Sequence, residues 1–176
     1  MNTPNNKKRK QSQEKIEKAF VELLQTKELN QIFVTDICKL THLNRSTFYA
    51  NYLDIYDLAD KVKEKLEAEV KLLYIDEETN KYNSHNYLKL FYHIKENQLF
   101  YKTYFKLGFD NKYTIFQYDT NLAKEFFNDE FIEYHIEFFK NGLNSIIRLW
   151  LKNGCKETPE QIDSIIQSEY RHRKKD

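Results

Sequence analysis

Apolar side chains recur three and four residues apart along most of this chain, a period that helices satisfy and strands do not. Ile16, Ala19, Phe20, Leu23 and Leu24 trace one such stripe and predict a helix over 12–27. Val34, Ile37 and Leu40 mark a shorter one over 34–41, and Ile55, Leu58, Ala59, Val62, Leu66, Val70 and Leu73 carry a long one to about 74. Leu88, Phe91 and Ile94 predict a helix over 85–96, and Phe100, Tyr101, Tyr104 and Phe105 another over 98–107. The stretch 129–152 has two stripes: Phe131, His135, Phe138, Gly142, Ile146 and Leu149, and beside it Phe139, Leu143, Ile147 and Trp150. With three Gly and two Pro in 176 residues, little breaks these patterns, and the expected fold is all-α.

Boundary signals agree. Asn44 is placed to cap a helix beginning at Arg45, and Asp54 to cap the next. The pair Asn153-Gly154 stops the helix before it. Thr158, Pro159 and Gln161 then form a capping-box start for a last helix striped by Ile162, Ile165 and Ile166. The run 76–86 has no apolar period and reads as a linker.

Several function classes drop out. No run of 18 apolar residues exists, so no membrane span is expected. The basic cluster Lys7–Lys10 has no apolar segment behind it and is not a secretory signal, which places Cys38 and Cys155 as reduced thiols in a cytoplasm. Cys38 and His42 stand four apart, but one such pair reads as a buried thiol beside a turn histidine; no metal and no cofactor is expected. There is no nucleophile elbow, phosphate-cradling Gly loop or zinc-protease motif, so no enzyme is expected.

The net charge of +1 conceals an imbalance. Residues 1–53 hold nine Lys/Arg against five Asp/Glu, leaving nineteen against twenty-two in the rest. A basic head on a mildly acidic body suits contact with a polyanion at one end.

The stretch LTHLNRSTFYANY (40–52) concentrates hydrogen-bonding side chains and aromatics after a tight turn. Two short helices so joined, the second polar at its exposed start, describe a helix-turn-helix whose second helix enters the DNA major groove. Phe48 and Tyr52 take the core side. Arg45 can reach a guanine or a phosphate, Ser46 and Thr47 permit close approach, Tyr49 can meet a phosphate and Asn51 the backbone or a base, with Asn44 expected among the DNA contacts. Lys7–Lys10 reads either as a phosphate-binding arm or as a solvated tail.

FVTDICKLTHLNRSTFYANYLDIYDL resembles the DNA-binding module of the TetR family of bacterial regulators. Ile37, Leu43, Arg45, Ser46, Thr47, Phe48, Tyr49 and Tyr52 stand where that family has its characteristic residues. With its flanking helices the resemblance covers about 12–74, and FFKNGLNSIIRLWLKNGCKETPEQIDSII (138–166) is similar to the last two helices of one TetR subgroup. Three positions depart from the pattern: His42 replaces the usual turn glycine, Ile55 the usual lysine, and Phe33 the residue that usually caps the second helix. Thr35 is then expected to cap one step later or to contact phosphate.

The resemblance implies a head at 1–53 and a helical regulatory and dimerisation domain at 54–176, with 54–74 connecting them. It implies a homodimeric repressor on a palindromic operator, with a small-molecule effector in the C-terminal domain. Dimer contacts are expected from Gly142, Leu143, Ile146, Ile147, Trp150, Ile162, Ile165 and Ile166, and ligand contacts from Tyr101, Tyr104, Phe105, His135 and Phe138. The alternatives are an activator controlled by a partner protein, and a small-molecule-binding helical protein or enzyme with a vestigial head.

Overall fold

The computed structural model describes residues 4–72, 87–107, 124, 128 and 130–171. All regular structure among them is helical. In chain order the α-helices are α1 (Pro4–Leu24), α2 (Val34–Thr41), α3 (Arg45–Tyr49), α4 (Ile55–Leu72), α5 (Tyr87–Glu96), α6 (Gln98–Leu107), α7 (Ile132–Lys152) and α8 (Pro159–Arg171), with a 3-10 turn at Leu29–Gln31. The linker expected at 76–86 lies outside the described residues.

Two compact units result, one from Met1–Ala68 with Thr103–Asn111, the other from Glu69–Lys102 with Lys112–Asp176. The first therefore extends past the boundary expected at 53. Its core gathers Ile16, Phe20 and Leu24 of α1, Ile37 of α2, Phe48 of α3, Leu58 and Val62 of α4, and Leu107 of α6. Small helices cannot bury enough apolar surface alone, so each contributes one stripe to a shared interior. Polar ties complete it. Tyr52 donates its hydroxyl to Glu17 Oε1 at 3.2 Å, and Lys65 Nζ donates to Glu17 Oε2 at 2.9 Å. Lys106 places its ammonium on the carbonyl of Leu24, where α1 ends.

α1 begins at Pro4, well before the expected residue 12, so Lys7–Lys10 is neither a tail nor a loose arm but part of a helix. The other caps follow their chemistry. Asp54 Oδ1 accepts from the N–H groups of Tyr56 and Asp57 at 2.8 and 2.9 Å, while Asp57 accepts from Leu53 N–H at 2.9 Å. Phe33 has no acceptor for the start of α2; Asp36 reaches back to its N–H at 3.1 Å instead. Thr35 is not the cap.

In the second unit, Tyr87 packs on Phe139 and Phe91 on Trp150, with ring centroids 5.9 and 6.2 Å apart. Leu143 and Ile147 of α7 and Ile162 and Ile166 of α8 are buried with them. α7 ends where Cys155 N–H returns to Trp150 O at 2.9 Å, with Gly154 at φ 75° and Cys155 at φ 51°. Thr158 and Gln161 close the box that starts α8, through bonds of 2.8 and 3.2 Å. Among the described residues no helix is long and apolar enough to cross a membrane.

Candidate nucleic-acid interface

The turn between α2 and α3 requires a left-handed residue, and His42 supplies it at φ 56° and ψ 26°. Histidine adopts this conformation more readily than most side chains, so the chain turns without the usual glycine. Asn44 then caps α3. Its Oδ1 accepts from Thr47 N–H at 2.8 Å, Thr47 Oγ1 at 2.7 Å and Ser46 Oγ at 2.8 Å. Phe48 is fully buried and anchors the helix from below, its ring 5.5 Å from Tyr49 and 5.8 Å from Tyr52.

What remains on the outside is a short polar face. Arg45 and Ser46 are exposed, and Tyr49 is 55% exposed despite its ring. Thr47 is half-buried on the same helix, and Thr35 is half-buried in the first turn of α2. Asn51 differs from the expectation: it is 9% exposed, donates Nδ2 to Thr47 O at 2.8 Å, and accepts from Arg9 Nε at 3.3 Å. Its amide ties the C-terminal end of the motif to α1. Asn44 likewise uses its side chain as a cap. Four further apolar groups, Leu53 at 80%, Phe33 at 62%, Tyr56 at 56% and Leu40 at 46%, lie exposed in the same unit. The first three stand just outside a stripe; Leu40, expected on the inward stripe of α2, sits in its last turn and faces outward instead.

Tyr52 cannot act as an acid near neutrality. Burial, and then the Glu17 carboxylate, push its hydroxyl far above the ordinary tyrosine value. It is a structural phenol.

In the second unit, α7 presents two faces. Leu143, Ile147 and Trp150 are buried within the chain, as are Ile162 and Ile166, so these five expected dimer contacts are core residues here. The opposite face carries Tyr134 at 77%, Phe138 at 65% and Leu149 at 59% exposed, preceded by Phe131 at 73%, with Gly142 among them and Ile146 half-buried at the edge. Ile165 of α8 is 45% exposed. Tyr134, Phe138 and Gly142 line a shallow open groove with Glu137, Asn141 and Ser145. A Cβ built on Gly142 would meet nothing within 4 Å.

The expected ligand residues are not brought to one described cavity. Tyr101 is fully buried against Phe100 and His93, its hydroxyl 2.7 Å from His93 Nδ1. Tyr104 is 1% exposed and donates to Glu67 at 3.1 Å, with Phe105 packed at its edge. His135 is half-buried, and Phe138 faces outward. Asn144, unnoticed in the sequence, is 2% exposed, and among the described residues neither of its amide atoms makes a hydrogen bond.

A capped, outward-facing helix after a left-handed turn, held on a core that α1, α2 and α4 share, is the geometry of a helix-turn-helix. Residues 82–168 match a TetR family model described as the transcriptional regulator C-terminal region. The HTH-type dhaKLM operon transcriptional activator DhaS of Lactococcus lactis subsp. lactis (strain IL1403) is 32% identical over 122 residues, 68% of this chain and 63% of that protein. The alignment thus spans less than two thirds of that relative. A solved structure, the dihydroxyacetone kinase operon activator DhaS, is 24% identical with a TM-score of 0.51, over 89% of this chain and 92% of that one. It bears on the fold alone. The chain belongs to the TetR family of transcriptional regulators.

Proposed function

We propose that this regulator binds a palindromic operator as a homodimer, each copy laying α3 in a major groove. The observation that carries this reading is the outward presentation of Arg45, Ser46 and Tyr49 on one short capped helix whose other side is pinned by buried Phe48. Arg45 contacts a base edge or phosphate at the helix start, Tyr49 a phosphate oxygen, and Ser46 and Thr47 allow the approach. Thr35, at the start of α2, faces the same backbone. Asn44 and Asn51 serve by holding the helix.

The dimer forms through the outer face of α7 with the exposed edge of α8. Phe138, Gly142, Ile146, Leu149 and Ile165 are its contacts, in place of the inward residues expected from sequence. An apolar helix face of this kind is what an isologous two-fold contact buries. The regulatory signal enters through the second unit. On the sign of regulation, the named relative is an activator, which favours activation over the repression expected from sequence.

Fluorescence anisotropy on duplexes selected from random oligonucleotides tests the reading. Specific binding that falls steeply with salt, and that Arg45→Ala and Tyr49→Ala abolish without dissociating the dimer, is expected. A selection that enriches no sequence would overturn it.

A further inference from the structure

Arg9 stands on α1, far in sequence from the recognition helix, yet its Nε donates to Asn51 Oδ1 at 3.3 Å. The acceptor is rigid, because Asn51 is 9% exposed and its Nδ2 is fixed on the Thr47 carbonyl at 2.8 Å. That bond also settles which end of the amide faces Arg9: the nitrogen must donate to Thr47, so the oxygen is left for the guanidinium. Thr47 is in turn bonded to Asn44 at 2.7 Å. One hydrogen-bonded line therefore runs from the start of α1 to the cap of α3.

A guanidinium has five N–H donors in a plane, and Asn51 engages one of them. Arg9 is otherwise exposed, and in the described structure it meets no carboxylate within ion-pair distance. Its neighbours Lys7, Lys8 and Lys10 are exposed as well, so the surroundings are strongly cationic. A buried amide that orients an exposed arginine is poorly explained by solvation alone, since a solvated arginine needs no orientation. It is well explained by an acceptor with two oxygens sharing a negative charge, which the fork must meet at a fixed angle; this is how arginine takes phosphate. A helix in the major groove has a sugar-phosphate strand on each side. Arg45 begins α3, whereas Asn51 lies just past its end, so Arg9 is placed for the strand at the far side of the motif.

The geometry points to Arg9 as a phosphate contact of this regulator, clamped through Nε by Asn51 and presenting its terminal amino groups to one backbone phosphate beside the recognition helix. Asn51 is a positioning residue. This rests on the DNA reading proposed above and adds to it a sequence-independent contact with a fixed register.

The test measures anisotropy of the full chain on a selected duplex and on an unselected one, across a salt series. Arg9→Ala is expected to weaken both by about tenfold, and to reduce the slope of log affinity against log salt by about 1, the signature of one lost phosphate contact. Arg9→Lys restores the slope but only part of the affinity, because charge returns without the fork. Adding Asn51→Ala to Arg9→Ala does not lower the salt slope further, because the positioning amide carries no charge of its own. Arg45→Ala serves as control, weakening the selected duplex preferentially. Should Arg9→Ala match wild type on both duplexes with an unchanged slope while Arg45→Ala loses specific binding, the Arg9 assignment fails and the DNA reading stands. If wild type binds neither duplex at low salt, both fall together.

Discussion

Asn44 and Thr47 are joined twice, Asn44 Oδ1 accepting from the backbone N–H of Thr47 at 2.8 Å and from its hydroxyl at 2.7 Å. In a helix of five residues those two bonds hold most of the first turn. Asn44→Ala is expected to destabilise the head by about 1 kcal/mol, and to weaken DNA binding further because Arg45 and Ser46 sit on the loosened turn. Asn44→Asp, which keeps the acceptor, is expected to retain both. Urea titrations beside anisotropy check this; an alanine variant as stable as wild type would remove the cap from the account.

The start of α2 makes a prediction in pH. Lys27 lies 2.9 Å from Asp36 and, with the Phe33 N–H, holds that carboxyl below the usual range. A carboxyl lowered by folding stabilises at pH above its unfolded value of about 3.9, and that contribution disappears as pH falls through the lower folded value. Asp36→Asn is therefore expected to be less stable than wild type at neutral pH, with the gap closing in acid. Urea midpoints at the two ends of that range decide it, and a gap independent of pH would count against the pairing.

The two faces of α7 should separate folding from association. Ile147 is fully buried, and Ile147→Ala is expected to cost about 2–4 kcal/mol of unfolding free energy. Phe138→Glu and Gly142→Val alter the outer face, where Phe138 is 65% exposed and a Cβ at Gly142 meets nothing. They are expected to keep the helical signal and shift sedimentation toward monomer. Dimers persisting in both variants would move the interface elsewhere.

Asn144 carries a buried amide with no hydrogen bond in the described structure. Leaving such a group unpaired costs about 1–3 kcal/mol, so Asn144→Leu is expected to raise the unfolding midpoint of the protein. A lower midpoint would mean that the amide is satisfied by a polar partner that leucine cannot replace.

The helices and their caps were readable because they depend on local chemistry. Asn44, Asp54, Gly154, Thr158 and Gln161 all do what their residue types dictate within a few positions. Arg45, Ser46 and Tyr49 were also readable, since a polar side of a short helix opposite Phe48 has to face outward. Asn51 was not, because its partner Arg9 is 42 positions away and nothing local distinguishes a buried amide from a reading one. The α7 stripes were found as a pair, but a periodic pattern does not say which stripe the chain buries itself; Leu143 and Leu149 look alike in sequence and differ only in tertiary packing. The start of α1 was missed because its first turns are polar all round and carry no period.

Glu17 receives Tyr52 on one oxygen and Lys65 on the other, so a single carboxylate on α1 ties the segment after α3 to the interior of α4. α3 is far too short to persist by itself. Any fluctuation that frays it must therefore release Phe48 from the core and Tyr52 from Glu17 in the same event. Amide protons of the recognition helix should then exchange with solvent at the rate of the whole head, not at the faster rate of a surface segment. On the reading proposed above, the helix that meets DNA is present whenever the head is folded, ready to dock without first being ordered.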